Sequence, residues 1–139
     1  MASFNNSKRD DLIYPELSYK IVGLAFEVFN ELGSGHLEKI YHTAMAKQFR
    51  LNNLPFKELI YYPLIFKGEI LRKNYFDFLV DEKVIVELKR SDNFSKSHFD
   101  QVNNYLRTSK LKLGLLISFT RHGVRFKRVP NLKSEIPTE

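Results

Sequence analysis

Residues 74–90 read NYFDFLVDEKVIVELKR, and the reading of the whole chain turns on them. Two apolar, β-branched runs flank the polar triplet Asp81-Glu82-Lys83, which predicts an antiparallel hairpin. A three-residue turn sets Val80 opposite Val84, Leu79 opposite Ile85, Phe78 opposite Val86 and Asp77 opposite Glu87. The two carboxylates then stand with β-carbons roughly 4.5–5.5 Å apart. Strand alternation brings Lys89 to the same face and turns Val84, Val86 and Leu88 to the other. Like charges at that spacing repel by about 3 kcal/mol at an effective dielectric near 20. Either a divalent cation or a proton kept on one carboxyl relieves the repulsion. A two-residue turn would instead put the acids on opposite faces. The plainer alternative is a solvated strand face on which Lys89 neutralises Glu87.

Outward from the hairpin the periodicity changes. Pro15 and Glu16 suit a helix start, and Leu17, Ile21, Leu24, Val28 and Leu32 recur at helical spacing up to Gly33-Ser34-Gly35. A second helix is expected from about His36 to Asn52, with Leu37, Ile40, Ala44 and Met45 on its apolar side. Glu58–Phe66 and Ile70–Val80 read as single strands around a Lys67-Gly68-Glu69 turn, Pro63 marking an edge or bulge, and Val84–Lys89 as the third strand. A helix follows over about Ser95–Thr108, with Phe99, Val102 and Leu106 apolar. Lys112–Phe119 and Val124–Val129 are the last strands, around Arg121-His122-Gly123. The order α-α-β-β-β-α-β-β, with a helix between strands three and four, permits a parallel crossover and a mixed sheet in an α/β fold. One domain over residues 1–139 is expected, with loosely ordered tails at 1–14 and 131–139.

Composition narrows the chemistry. With 43% hydrophobic residues, including 12 Phe and 7 Tyr, the chain can build a real core. Cysteine is absent, which excludes disulfides, thiolate metal sites and a Cys nucleophile. Carboxylate and water ligands favour Mg²⁺ or Mn²⁺. No apolar run has the length of a membrane span, and the polar start lacks a secretory pattern, so a cytoplasmic location is expected. A net charge of +6 favours a polyanionic partner, nucleic acid being the commonest.

The D-x9-E-x-K spacing from Asp77 to Lys89, set between apolar strands, resembles the signature of the PD-(D/E)xK nuclease superfamily. Gly35, Glu38 and Tyr41 in LGSGHLEKIY, residues 32–41, are similar to the element that names the GxxExxY proteins, a branch of it. The segment His98-Phe-Asp-Gln101-Val-Asn-Asn-Tyr105-Leu106 is similar to that family's helix with a Gln and an Asn-Tyr-Leu. The resemblance spans about residues 15–130 and implies a three-layer nuclease core. It further implies Asp77 and Glu87 as main metal ligands, the Leu88 carbonyl as a further one, and Glu38 as an outer carboxylate. Lys89 becomes the catalytic lysine and Gln101, as in RecB-like nucleases, its orienting partner; Tyr41 and Tyr105 support them. Phe76 stands where the family's proline would. His36 sits where the family often has an apolar residue. Taken with the hairpin, the resemblance implies a Mg²⁺- or Mn²⁺-dependent phosphodiester hydrolase acting on nucleic acid, DNA more than RNA, and compatible with a homodimer. The alternatives are an inactive nucleic-acid-binding module on the same fold, or a protein-interaction domain.

Each residue also has a structural alternative. Glu38 in a first helical turn favours the helix dipole in any case. Tyr41 could serve the core, its hydroxyl reaching Glu38. Gln101 and Tyr105, a turn apart, could face solvent. Gly33 and Gly35 would shape the passage between helices. Lys110, Lys112, Arg121, Arg125, Lys127 and Arg128 could contact a phosphate backbone or be solvated strand charges.

Overall fold

Pro15 opens helix α1 (Pro15–Leu32) in the computed structural model, which describes residues 13–131. Its ring pre-sets the first helical φ, and Glu16 complements the helix dipole. Gly33 stops α1 at φ 74, ψ −168, a conformation open only to glycine, and its N–H returns to the Phe29 carbonyl. After α2 (Glu38–Leu51) come β1 (Phe56–Tyr61), β2 (Leu64–Phe66), β3 (Glu69–Arg72), β4 (Tyr75–Val80) and β5 (Val84–Lys89). Helix α3 (Lys96–Ser109), β6 (Leu113–Thr120) and β7 (Gly123–Pro130) complete the chain.

The central sheet has order β1-β4-β5-β6-β7. β5 and β6 run parallel through the α3 crossover, and the other pairs are antiparallel. One face carries Phe78, Val80, Val86, Leu88, Leu115 and Ile117 against Ile21, Ala25, Met45 and Phe49 of α1 and α2. The other carries Phe76, Ile85, Leu116 and Val129 against Val102 and Leu106 of α3. The result is the expected three-layer α/β arrangement with a five-stranded mixed sheet. Ser95 caps α3 by accepting from the His98 amide, while His98 Nδ1 accepts from the Ser95 amide.

The structure corrects four expectations. Each of the first two long strands is broken, so the element order is α-α-β-β-β-β-β-α-β-β. Pro63 has no N–H for a ladder, and the Tyr62 amide instead donates to the Asn74 carbonyl at 2.7 Å. Beyond that bond β2 and β3 form a separate two-stranded ribbon. In α2 the inward residues are Tyr41, Met45, Ala46 and Phe49, whereas Leu37 and Ile40 are 59% and 39% exposed. The helix begins at Glu38, so its phase, and not the first apolar letters, selects the buried stripe. Ile13, placed in the loose lead-in, is buried, as is Asn131, whose amide donates to the Leu106 and Leu111 carbonyls. The rest of the two expected tails lies outside the described residues. Arg128, finally, is no free strand cation: its guanidinium donates to Ser18 Oγ and the Ile13 carbonyl. Among the described residues no helix is long and apolar enough to cross a membrane.

Candidate active site

The β4–β5 register follows the three-residue turn: Val80 pairs with Val84, Leu79 with Ile85 and Phe78 with Val86. The turn closes through Asp81 and Glu82, both left-handed at φ 55 and 57. Past Phe78 the backbone ladder gives way to side chains. The Asp77 amide donates to Glu87 Oε1 at 3.3 Å, and the Leu88 amide donates to Asp77 Oδ2 at 2.8 Å. Each strand's free N–H is thus satisfied by the other strand's acid, which draws the two carboxylates together at the open end of the hairpin.

Burial and crowding there have a direct electrostatic consequence. Burial, and then the charge and hydrogen bonding of Asp77, push the Glu87 carboxyl up to about 8. Lys89 Nζ lies 3.3 Å from Glu87 Oε2 and pulls the other way without overcoming them. Glu38 stands at the start of α2, where its own carboxyl is raised by burial and by Asp77, against the lowering effect of Lys89 and Arg90. It is within electrostatic reach of Asp77, although no hydrogen bond joins it to either acid.

Two participants escaped the sequence reading. His42 Nδ1 lies 2.7 Å from Asp77 Oδ1 and Nε2 lies 2.8 Å from Glu58 Oε1. The ring stacks on Phe78 at 4.2 Å between centroids, which fixes its plane. Each ring nitrogen thus faces a carboxylate oxygen. His42 follows Glu38 by one helical turn, so their shared face was open to reading. Glu58 gave no such signal, because its place depends on the β1–β4 register.

The remaining predicted residues separate clearly. Gln101 is half-buried on α3, and no hydrogen bond links it to Lys89. The ammonium's influence on α3 falls instead on His98, whose pKa is lowered by burial and then by Lys89. Tyr105 packs its ring against Phe76 at 5.0 Å and Tyr62 at 5.5 Å. Tyr41 does not reach Glu38: its buried hydroxyl donates to the Gly33 carbonyl at 2.6 Å, and its ring stacks on Phe119. His36 Nε2 bonds the Leu32 carbonyl, an otherwise orphan acceptor at the α1 terminus, and the His36 carbonyl accepts from Arg90. Tyr41 and His36 therefore build the glycine turn that delivers Glu38 to the rim.

Among the described residues no group of three or more His, Asp or Glu side chains is arranged to hold a metal ion as it stands. The donor chemistry nevertheless fits a hard divalent cation. Two crowded carboxylates, one of them driven to keep a proton, gain from a cation between them, and their oxygens suit Mg²⁺ or Mn²⁺. In this arrangement those oxygens are engaged by His42, the Leu88 amide and Lys89.

A five-stranded mixed sheet between two helices and one, with an acidic hairpin end beside a lysine, defines a nuclease-type α/β core. The sequence pattern of the PD-(D/E)XK nuclease superfamily matches residues 15–129, and the chain belongs to that superfamily. Among solved structures, the crystal structure of SSO0001 is 17% identical with a TM-score of 0.50, over 84% of this chain and 57% of that one. The chain thus spans little more than half the length of that protein, and the likeness shows the fold alone. An alkaline exonuclease (LHK-Exo) from Laribacter hongkongensis is 12% identical with a TM-score of 0.47, over 81% of this chain and 68% of that one. No curated protein matches the chain.

Proposed function

We propose that this chain hydrolyses phosphodiester bonds in nucleic acid, DNA in preference to RNA, using Mg²⁺ or Mn²⁺. The observation that carries the reading is the pair of bonds across the hairpin end, from the Asp77 amide to Glu87 and from the Leu88 amide to Asp77, with Lys89 against Glu87. Asp77, Glu87 and the Leu88 carbonyl would hold the cation, with Glu38 reaching it directly or through water. When bound, such an ion supplies a polarised phosphate and a more acidic water.

The chain's own groups do the rest. Lys89 exchanges its Glu87 partner for the attacking oxygen or the phosphate and stabilises negative charge there. Gln101, one turn beyond His98 on the helix that faces Lys89, positions the lysine or the phosphate. Tyr41 and Tyr105 hold the helices from which Glu38 and Gln101 project. The +6 charge attracts the polyanionic substrate. Membership of the GxxExxY branch and a cytoplasmic location belong to the same proposal, on the sequence grounds given above.

A second reading has its own support. His42 and Lys89 already lie against the acids, and an engaged site of this kind suits a module that binds nucleic acid without cutting it. Linear, nicked and single-stranded DNA and an RNA strand, incubated with Mn²⁺ or Mg²⁺, separate the two. We expect cleavage by wild type, abolished in Lys89→Ala and Asp77→Ala. Salt-dependent binding with no cleavage selects the binding module, and neither selects a protein-interaction domain.

A further inference from the structure

Residues 59–71 read LIYYPLIFKGEIL, in which Lys67 and Glu69 are the only charges and cancel, within a chain of net charge +6. The ribbon β2–β3 covers the second half of this stretch and ends one residue past it, at Arg72. It shares no ladder with the main sheet and pairs Ile65 with Ile70 and Phe66 with Glu69 around a Lys67-Gly68 turn. Its side chains are turned outward: Leu64, Ile65, Phe66, Ile70 and Leu71 are 49–58% exposed, and the adjoining Tyr61 is 44% exposed. A lone two-stranded ribbon is marginal in water, and a contiguous apolar surface of this kind marks a contact.

We infer that the ribbon is the surface on which two copies of this chain associate. These six residues present on the order of 600 Å² of surface over the two faces of the ribbon, so a two-fold contact that embraces both faces would bury on the order of 1,200 Å², the lower bound of specific interfaces. Nucleic acid is the poorer occupant, because its interfaces concentrate cations, and this stretch is apolar with its two charges cancelling. Two bodies of charge +6 also meet with least repulsion where each is locally uncharged. The charges that border the strip are self-complementary. Glu69 begins β3 and Arg72 ends it, and among the described residues neither has an ion-pair partner within the chain. Two ribbons laid antiparallel about a two-fold axis bring each Glu69 toward the Arg72 of the second copy.

Sedimentation velocity of the full chain over a wide concentration range tests this, independently of any nuclease activity. We expect a species of twice 16.4 kDa. Phe66→Glu and, separately, Leu71→Glu should raise its dissociation constant by about tenfold or more, with the circular dichroism spectrum unchanged. Glu69→Arg and Arg72→Glu should each weaken association, and the double swap should restore it. The inference is overturned if wild type stays monomeric, if both apolar variants still dimerise, or if assembly is open-ended. A monomer whose DNA binding is lost in Phe66→Glu would also overturn it, by assigning the ribbon to nucleic acid.

Discussion

His42 Nδ1 lies 2.7 Å from Asp77 Oδ1, tying the second helix to the strand that carries the acidic pair. The same ring reaches Glu58 on β1, so three elements meet through one imidazole. It orients Asp77 from one side while the Leu88 amide holds it from the other. His42→Ala should therefore weaken Mn²⁺ binding about 10–100-fold, as loss of an orienting partner does. Titration calorimetry reads this directly, and an affinity equal to wild type would remove His42 from the site. Glu58→Gln, at an exposed carboxyl, should do less.

Glu87 carries a pH dependence of defined sign. The unfolded carboxyl titrates near 4.5 and the folded one at about 8. Between those values the native state holds a proton that the unfolded state has lost, so this group's stabilisation, full below 4.5, falls away up to about 8. Glu87→Gln imitates the protonated acid. Without divalent cation, the variant should melt above wild type at pH 8, and the gap should close toward pH 4.5. Added Mn²⁺ should then raise the melting temperature of wild type far more than that of the variant. A gap independent of pH contradicts the assignment.

At Gly114 the Val102 side chain of α3 lies close over the sheet backbone. A β-carbon there would lie 2.5 Å from Val102 Cγ1 and 3.0 Å from Ile85 Cγ2. Gly114→Ala should cost about 1–3 kcal/mol by overpacking. Val102→Ala in the same chain should recover part of that loss. Denaturant melts giving Gly114→Ala the stability of wild type would show that α3 is free to shift.

Tyr41 divides its contribution between a ring and a hydroxyl. Tyr41→Phe keeps the stacking on Phe119 and loses the bond to the Gly33 carbonyl and the longer one accepted from the His36 amide, about 1–2 kcal/mol together. Tyr41→Ala empties a fully buried site and should cost about 3–5 kcal/mol. Equal losses in the two variants would mean that the glycine turn, and not the ring, is what Tyr41 secures.

The sites where letters and structure part company share a cause. Glu58–Phe66 has the composition of one strand, yet the missing N–H of Pro63 and the Tyr62–Asn74 bond divide it. Tyr41 matches its motif position, while the left-handed Gly33, and not the nearer Glu38, offers the acceptor. In each case the partner lies across a contact that neither turn length nor periodicity encodes.

The sequence by itself determined the two-strand hairpin, its register and the closeness of Asp77 to Glu87, because turn length and strand alternation act over a few neighbouring residues. It likewise determined the layered α/β core, since hydrophobic period decides which elements form and which faces must be covered. Only the tertiary structure decided that His42 and Glu58 join Asp77 and that the ribbon stands apart from the sheet. Those outcomes depend on how α2 packs against β1 and β4, where a shift of one residue would exchange every partner.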